Sequence, residues 1–351
     1  MTPSARVQAA IDLLDEIILS ARDGGAAADV LIARYFKTRR YAGSKDRRAV
    51  RDHVYDAIRR AAERPASGRA AMIGLAGEHG ELAALFDGST HAPEPIAEDE
   101  DSAEARAVPE WIIPLLAPQV DRAEQIGLLK RASLDIRING LKGDITTIQE
   151  ALPDAEPIAA IPQALRLPFG YPVEQSPLWA EGKIEVQDAG SQIIVQACAA
   201  RPGETVIDLC AGAGGKTLAL AADMQGQGRL IAADTIRDRL ARLNPRAIRA
   251  GAEMIETLLL DDGREAAMLE PLVGSADLVL VDAPCSGTGT WRRNPEARWR
   301  LTPARLDRLT ALQAHILDLA APLVKPGGRL AYAVCSLLER EGRAQADAFG
   351  R

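Results

Sequence analysis

No stretch of this 351-residue chain approaches the roughly 18 consecutive apolar residues that a membrane span needs. Its first residues are polar and charged, without the apolar core of a secretory leader, so neither export nor membrane residence is expected. Cysteine is scarce: Cys198, Cys210, Cys285 and Cys335 are the only four. Four thiols in a chain of this length make no disulfide scaffold. Neither Cys-x-x-Cys nor His-x-x-x-His occurs and the four histidines are scattered, so no metal is expected. Positive charge is not in excess, because 42 Lys and Arg face 49 Asp and Glu for a formal net charge of −7. That excludes a uniformly basic coat but not local segregation. These absences describe a cytoplasmic protein, and the length suggests about two to three domains.

Charge is in fact segregated. From Arg34 to Arg60, a stretch that includes Arg47 and Arg48, ten Lys and Arg stand against three Asp. A second cluster comprises Arg292, Arg293, Arg298, Arg300, Arg305 and Arg308. Such stripes suffice to contact phosphates; solvated helix faces are the plainer alternative.

The stretch that organises the chain is Asp208-Leu-Cys-Ala-Gly-Ala-Gly-Gly-Lys-Thr217. Before it, Glu204–Leu209 is a short β-branched apolar run of the kind that forms a buried parallel strand. After it comes the helical run Leu218–Ala222. Strand, glycine turn and helix open a nucleotide-type site in doubly wound α/β sheets. Two familiar versions fail by one residue each. A phosphate-binding G-x-x-x-x-G-K-[ST] loop needs glycine where Cys210 stands, and G-x-G-x-x-G needs glycine where Thr217 stands. A third nucleoside-like ligand is the better expectation.

Two later motifs, Asp282-Ala-Pro-Cys-Ser-Gly-Thr-Gly289 and Tyr332-Ala-Val-Cys-Ser336, join the glycine turn. Together, from about Val186 to Glu341, they resemble the RNA cytosine-5 methyltransferases of the Sun/RsmB and NOL1/NOP2 type. The resemblance implies S-adenosylmethionine as cofactor, bound by Cys210, Ala211, Gly212, Ala213, Gly214, Gly215, Lys216, Asp234, Asp262 and Asp282. It implies RNA, ribosomal RNA first, as partner of a monomeric protein. Either Asp261 or Asp262 is placed to meet the adenine amine, and the family's register favours Asp262. Two departures from the family are visible: Val334 stands where it has threonine, and Ala213 where its turn commonly has proline.

The fold class implied is α/β, a Rossmann-like methyltransferase sheet preceded by an all-helical domain and a small α+β region. Helical spacing over 5–20, a second helix over Val30–Arg40, a third opened by Ser44 and a fourth over 70–86 make residues 1–90 a bundle. It resembles the family's NusB-like RNA-binding domain, with Arg47 and Arg48 near the expected place. Residues 91–107 are acidic and hold prolines, hence a linker. Residues 108–182 form the α+β region, with a helix across Gln119–Lys130. There Arg137-Ile-Asn-Gly-Leu-Lys142 resembles a family signature; it either lies beside RNA or packs the catalytic domain. Residues 183–351 are the methyltransferase domain, with strands over Glu204–Leu209, Arg229–Ala233, Thr257–Leu260, Asp277–Val281 and Gly328–Val334. Only 16 residues follow Cys335, so five catalytic strands are expected rather than the family's seven, with an exposed final edge and weak cofactor binding and turnover.

Asp208, Asp234, Asp262, Asp282 and Cys335 all fall at the carboxyl ends of these strands, where ligands of open α/β sheets sit. Asp234, about 20 residues past the turn, is placed for ribose hydroxyls. Cytosine C5 is a weak nucleophile, and a thiolate adding to C6 pushes electron density onto it. By resemblance Cys335 is that nucleophile, Asp282 holds N3, and Cys285 serves the release step. Arg292 and Arg293 are expected to face RNA. Two rivals stay open: a DNA cytosine-5 methyltransferase attacking through Cys285, and a non-catalytic RNA-binding assembly factor.

Overall fold

The structure is a computed structural model that describes residues 1–350. They form two compact units: Met1–Arg131 with Ser286–Arg308 and Cys335–Glu341, and Ala132–Cys285 with Leu309–Val334 and the C-terminal residues. No helix among the described residues is long and apolar enough to cross a membrane.

In the first unit, α1 (Pro3–Asp23) starts on the Thr2 cap, whose hydroxyl accepts the Ala5 N–H, and stops at Gly24 with φ +73°. Its Val7, Ala10, Leu13, Leu14 and Ile17 are fully buried at helical spacing. The second helix, α2 (Ala28–Thr38), sits two residues earlier than its apolar pattern suggests. Ser44 is the first residue of α3 (Ser44–Arg60), not its cap. Gly43 caps it, its N–H donating to Asp46, because an aspartate three residues on supplies the reciprocal acceptor. The expected fourth helix divides into α4 (Gly68–Ala76) and a single turn, Gly80–Ala83. Helix α4 crosses α1 so closely that a Cβ on Gly68 would lie 2.2 Å from the Ile11 carbonyl oxygen.

Residues 91–107 contain no helix or strand. They are hydrogen-bonded to the bundle, through Ala103 N–H to Ala70 O and Arg106 N–H to Arg60 O. The helix expected across Gln119–Lys130 is only Arg122–Gly127, capped by Asp121.

The second unit holds two sheets. The smaller is antiparallel, in the order β2 (Glu156–Pro157), β3 (Ala164–Leu167), β1 (Leu134–Ile138), β4 (Ile184–Val186). The larger is wholly parallel, in the order β7 (Ile255–Leu259), β6 (Arg229–Asp234), β5 (Thr205–Asp208), β8 (Ala276–Asp282), β9 (Val324–Ala333). Chain direction reverses its order beside β5, the switch point at which such sheets bind ligands. Both faces are covered, so β5 and β8 are near-continuous apolar runs. β9 begins four residues before the expected Gly328, because its early residues continue the pairing with β8 past a register shift.

Asn139 joins the two sheets. It is 1 % exposed, and its Nδ2 donates to the carbonyls of Gly182 and Ala250, each at 2.8 Å. Arg137 is also buried and bonds Gln187. Arg137 and Asn139 of the Arg-x-Asn-x-Leu-Lys signature therefore serve packing, while its Lys142 is exposed.

Candidate active site

Burial of β5 delivers Asp208 to the sheet's carboxyl edge at 1 % exposure. Its Oδ2 accepts the Thr217 hydroxyl at 2.7 Å, closing the turn from strand to helix, while Oδ1 has no partner. Burial raises the Asp208 pKa to about 7. Between the two residues, Gly212 and Gly214 take φ +56° and +83°. A Cβ on Gly214 would meet Leu243 Cδ1 at 2.0 Å, whereas one on Gly212 or Gly215 would meet open space. The turn is thus packed on one side and vacant on the other. The helix Gly215–Asp223 follows, so unpaired N–H groups border that space.

Four long-range bonds hold the turn. Asp234 Oδ2 accepts the Gly212 N–H at 2.8 Å, and its Oδ1 accepts that of Ile236 at 2.7 Å. Arg246 Nη1 donates to the Ala213 carbonyl at 2.5 Å and its Nη2 pairs with Glu185 at 3.0 Å. Gln187 Nε2 donates to Gly215 O at 3.2 Å. Ala211 N–H completes the set, bonding Ala233 O. Arg246 and Gln187 escape motif reading, since neither belongs to the turn.

Lys216 Nζ lies 2.5 Å from Asp282 Oδ2, a half-buried ion pair across the switch point. Sequence reading left Lys216 without a partner. Asp282 closes β8 opposite Ala333 of β9. Cys285 comes three residues after Asp282 and Cys335 two after Ala333, so both thiols leave the carboxyl ends of adjacent strands. Cys335 is exposed and Cys285 half-buried. The other two cysteines differ: burial pushes the Cys198 thiol up to about 11 and the Cys210 thiol higher still. Neither suits nucleophilic work at neutral pH. Asp262 is exposed in the loop after β7, beside Gly263 at φ +75°.

The arginines divide. Arg47 and Arg48 are exposed on α3, Arg47 tethered to Ala42 O at 2.9 Å. Arg293 is exposed, and Arg292 Nη2 donates to Arg131 O at 2.9 Å. Two others in that cluster are not phosphate-facing. Arg298 is 2 % exposed and donates to the carbonyls of Ile58, Arg59 and Ala107; Arg300 donates to those of Gly25 and Ala26. Glu296 accepts the Ala28 N–H at 3.2 Å, and Trp299 Nε1 donates to Ala61 O at 2.8 Å. Segment 295–300 thus binds the free ends of α1, α2 and α3 with charges of the favourable sign.

The model for "16S rRNA methyltransferase RsmB/F" matches residues 195–351. Over those residues the chain is similar to the RsmB/F methyltransferases. A relative from Synechocystis sp., called a probable ribosomal RNA small subunit methyltransferase B, is 37 % identical over 70 % of this chain and 57 % of its own. The Salmonella arizonae ribosomal RNA small subunit methyltransferase B is 40 % identical over 54 % of this chain and 43 % of its own. The chain therefore spans about half the length of these curated relatives. The solved structure of PH0851 superposes with a TM-score of 0.75 over 99 % of this chain and 90 % of that one. At 24 % identity it speaks for the fold: a helical region, a small antiparallel sheet and a five-stranded parallel sheet.

Proposed function

We propose that this chain is an RsmB/F-type enzyme that methylates C5 of cytosine in RNA, with S-adenosylmethionine as donor and small-subunit ribosomal RNA as substrate. The observation that carries the reading is the Lys216–Asp282 pair beside the vacant side of the glycine turn. That vacancy, bordered by helix N–H groups and by Asp234, fits a nucleoside-type cofactor, with Asp234 toward the ribose and Asp262 toward the adenine. When bound, S-adenosylmethionine supplies the electrophilic methyl group that C5 accepts.

The chain's own residues do the rest. Cys335, exposed beyond β9, adds as thiolate to C6 and forms the C6–S bond, moving electron density onto C5. Asp282 is assigned to the N3 edge, and Lys216 beside it sets positive charge where density gathers on the ring. Cys285 serves the release, in which the C5 proton departs and the Cys335 thiolate leaves, restoring the C5–C6 double bond. The base must leave its stack to reach a thiol, which favours a loop or an assembly intermediate over a finished duplex. Arg47, Arg48, Arg292 and Arg293 are assigned to phosphates. Names of the relatives support ribosomal RNA as substrate. Work of this kind suits a cytoplasmic monomer.

The test is transfer of labelled methyl groups to unmodified small-subunit rRNA, followed by mapping of 5-methylcytosine. Transfer that disappears in Cys335→Ala supports the reading. A covalent adduct lost only in Cys285→Ala reverses the thiol assignment, and no transfer by the intact chain leaves a binding role.

A further inference from the structure

One group outside this scheme bonds the residue that follows each thiol. Glu341 is fully buried, and a carboxylate removed from water needs donors around it. It has them. Its Oε1 accepts the Ser286 N–H at 2.8 Å, and its Oε2 accepts the Ser286 hydroxyl and, at 2.6 Å, that of Ser336. Ser286 directly follows Cys285, and Ser336 directly follows Cys335. The two hydroxyls lie 3.1 Å apart, and Thr288 Oγ1 lies 3.3 Å from Ser336 Oγ. Main-chain bonds continue the seam: Gly289 N–H donates to Cys335 O at 3.0 Å, and Leu337 N–H to Thr288 Oγ1 at 2.7 Å. A Cβ on Gly289 would sit 3.0 Å from that Cys335 oxygen, so the close approach depends on glycine.

We propose that Glu341 is a positioning residue for the reaction, clamping the serine after each cysteine so that the two thiol-bearing loops keep one fixed register. This rests on the methyltransferase reading above. That chemistry needs one thiol to add to the ring and the other to serve its release, so an error in either loop affects the same base. Misplacement by about 1 Å is enough to lower such a rate on the order of 100-fold. A buried carboxylate suits the task because it can accept several hydrogen bonds at once, and each is charge-assisted. Serine in both cysteine motifs gains a reason: its hydroxyl is a donor to one shared acceptor.

The experiment compares Glu341→Ala, Glu341→Gln, Ser336→Ala and the double variant Glu341→Gln/Ser336→Ala with the intact chain. It measures single-turnover methyl transfer to rRNA, trapped RNA–protein adduct and cofactor affinity. The expected result is a loss of about 100-fold in transfer rate for Glu341→Ala, with cofactor affinity within twofold, since the glycine turn makes none of these bonds. Glu341→Gln keeps one acceptor oxygen and is expected to fall between. In the double variant the losses should be less than multiplicative, because both changes break one network. Unchanged transfer in Glu341→Ala overturns the proposal. If that variant fails to fold, multiplicative losses in the double variant overturn it and sub-multiplicative ones sustain it. Absence of transfer and adduct in the intact chain counts against the methyltransferase reading instead, which separates the two failures.

Discussion

The glycine turn and the segment 286–308 both come after strands of the parallel sheet, yet they are held in different ways. The turn is closed from within, by Asp208 on Thr217 nine residues later, and then braced by Asp234, Arg246 and Gln187 of its own unit. Residues 298–300 of that segment are held by residues more than 200 positions earlier: Trp299 lies in the hydrophobic core of α1–α4, and Arg298 and Arg300 bond the helix ends there. The turn proposed for the cofactor is thus closed within one contiguous motif, while residues 298–300 take their place from a distant part of the chain. Damage to the two regions should separate into loss of cofactor binding and loss of RNA turnover.

The largest expected effect lies where both regions serve one reaction. Cys335→Ala should reduce methyl transfer about 10⁴-fold or more, measured with labelled donor, while cofactor affinity holds. Next, Trp299→Ala should destabilise the helical unit by about 3–5 kcal/mol in denaturant unfolding, since it empties a buried indole's place. A variant whose turn still binds cofactor normally would sharpen the contrast; equal loss in both regions would break it. Asp282→Asn, which removes the charge facing Lys216, should slow transfer about 100-fold with a smaller change in cofactor affinity. Gly214→Ala should weaken cofactor binding and cost about 1–3 kcal/mol, through its positive φ and the clash with Leu243.

The smallest effect concerns pH. Asp208 titrates near 7 when folded and in the ordinary carboxylate range when unfolded, so the folded state keeps its proton longer. Stability from this group therefore falls as pH rises from that range to about 7 and is level above it. Asp208→Asn should flatten that part of the curve, seen as a melting temperature that varies less between pH 5 and pH 8. An unchanged slope would mean that the buried carboxyl titrates normally.

Much of the candidate site could be read from sequence because the chemistry proposed for it needs particular residue types close together. The turn from Cys210 to Lys216, the acids ending β5, β6 and β8, and the two cysteine motifs are local patterns. Helix boundaries slipped where a cap decided them, as at Gly43, or where an apolar run was shared by two short helices, as over 70–86. The arginine cluster misled more seriously. Composition cannot tell an Arg that meets phosphate from one, like Arg298, that meets carbonyls at the end of a helix.

By itself the amino-acid sequence determined the element order, the parallel sheet and the types of candidate reacting group, since periodicity and short motifs act over a few residues. Tertiary structure alone decided partners: Lys216 with Asp282, Arg246 with Ala213, Glu341 with Ser286 and Ser336, Trp299 with the bundle core. The physical reason is that buried charge and buried aromatic surface must be satisfied by whatever folding brings alongside, and that neighbour carries no mark in the local sequence.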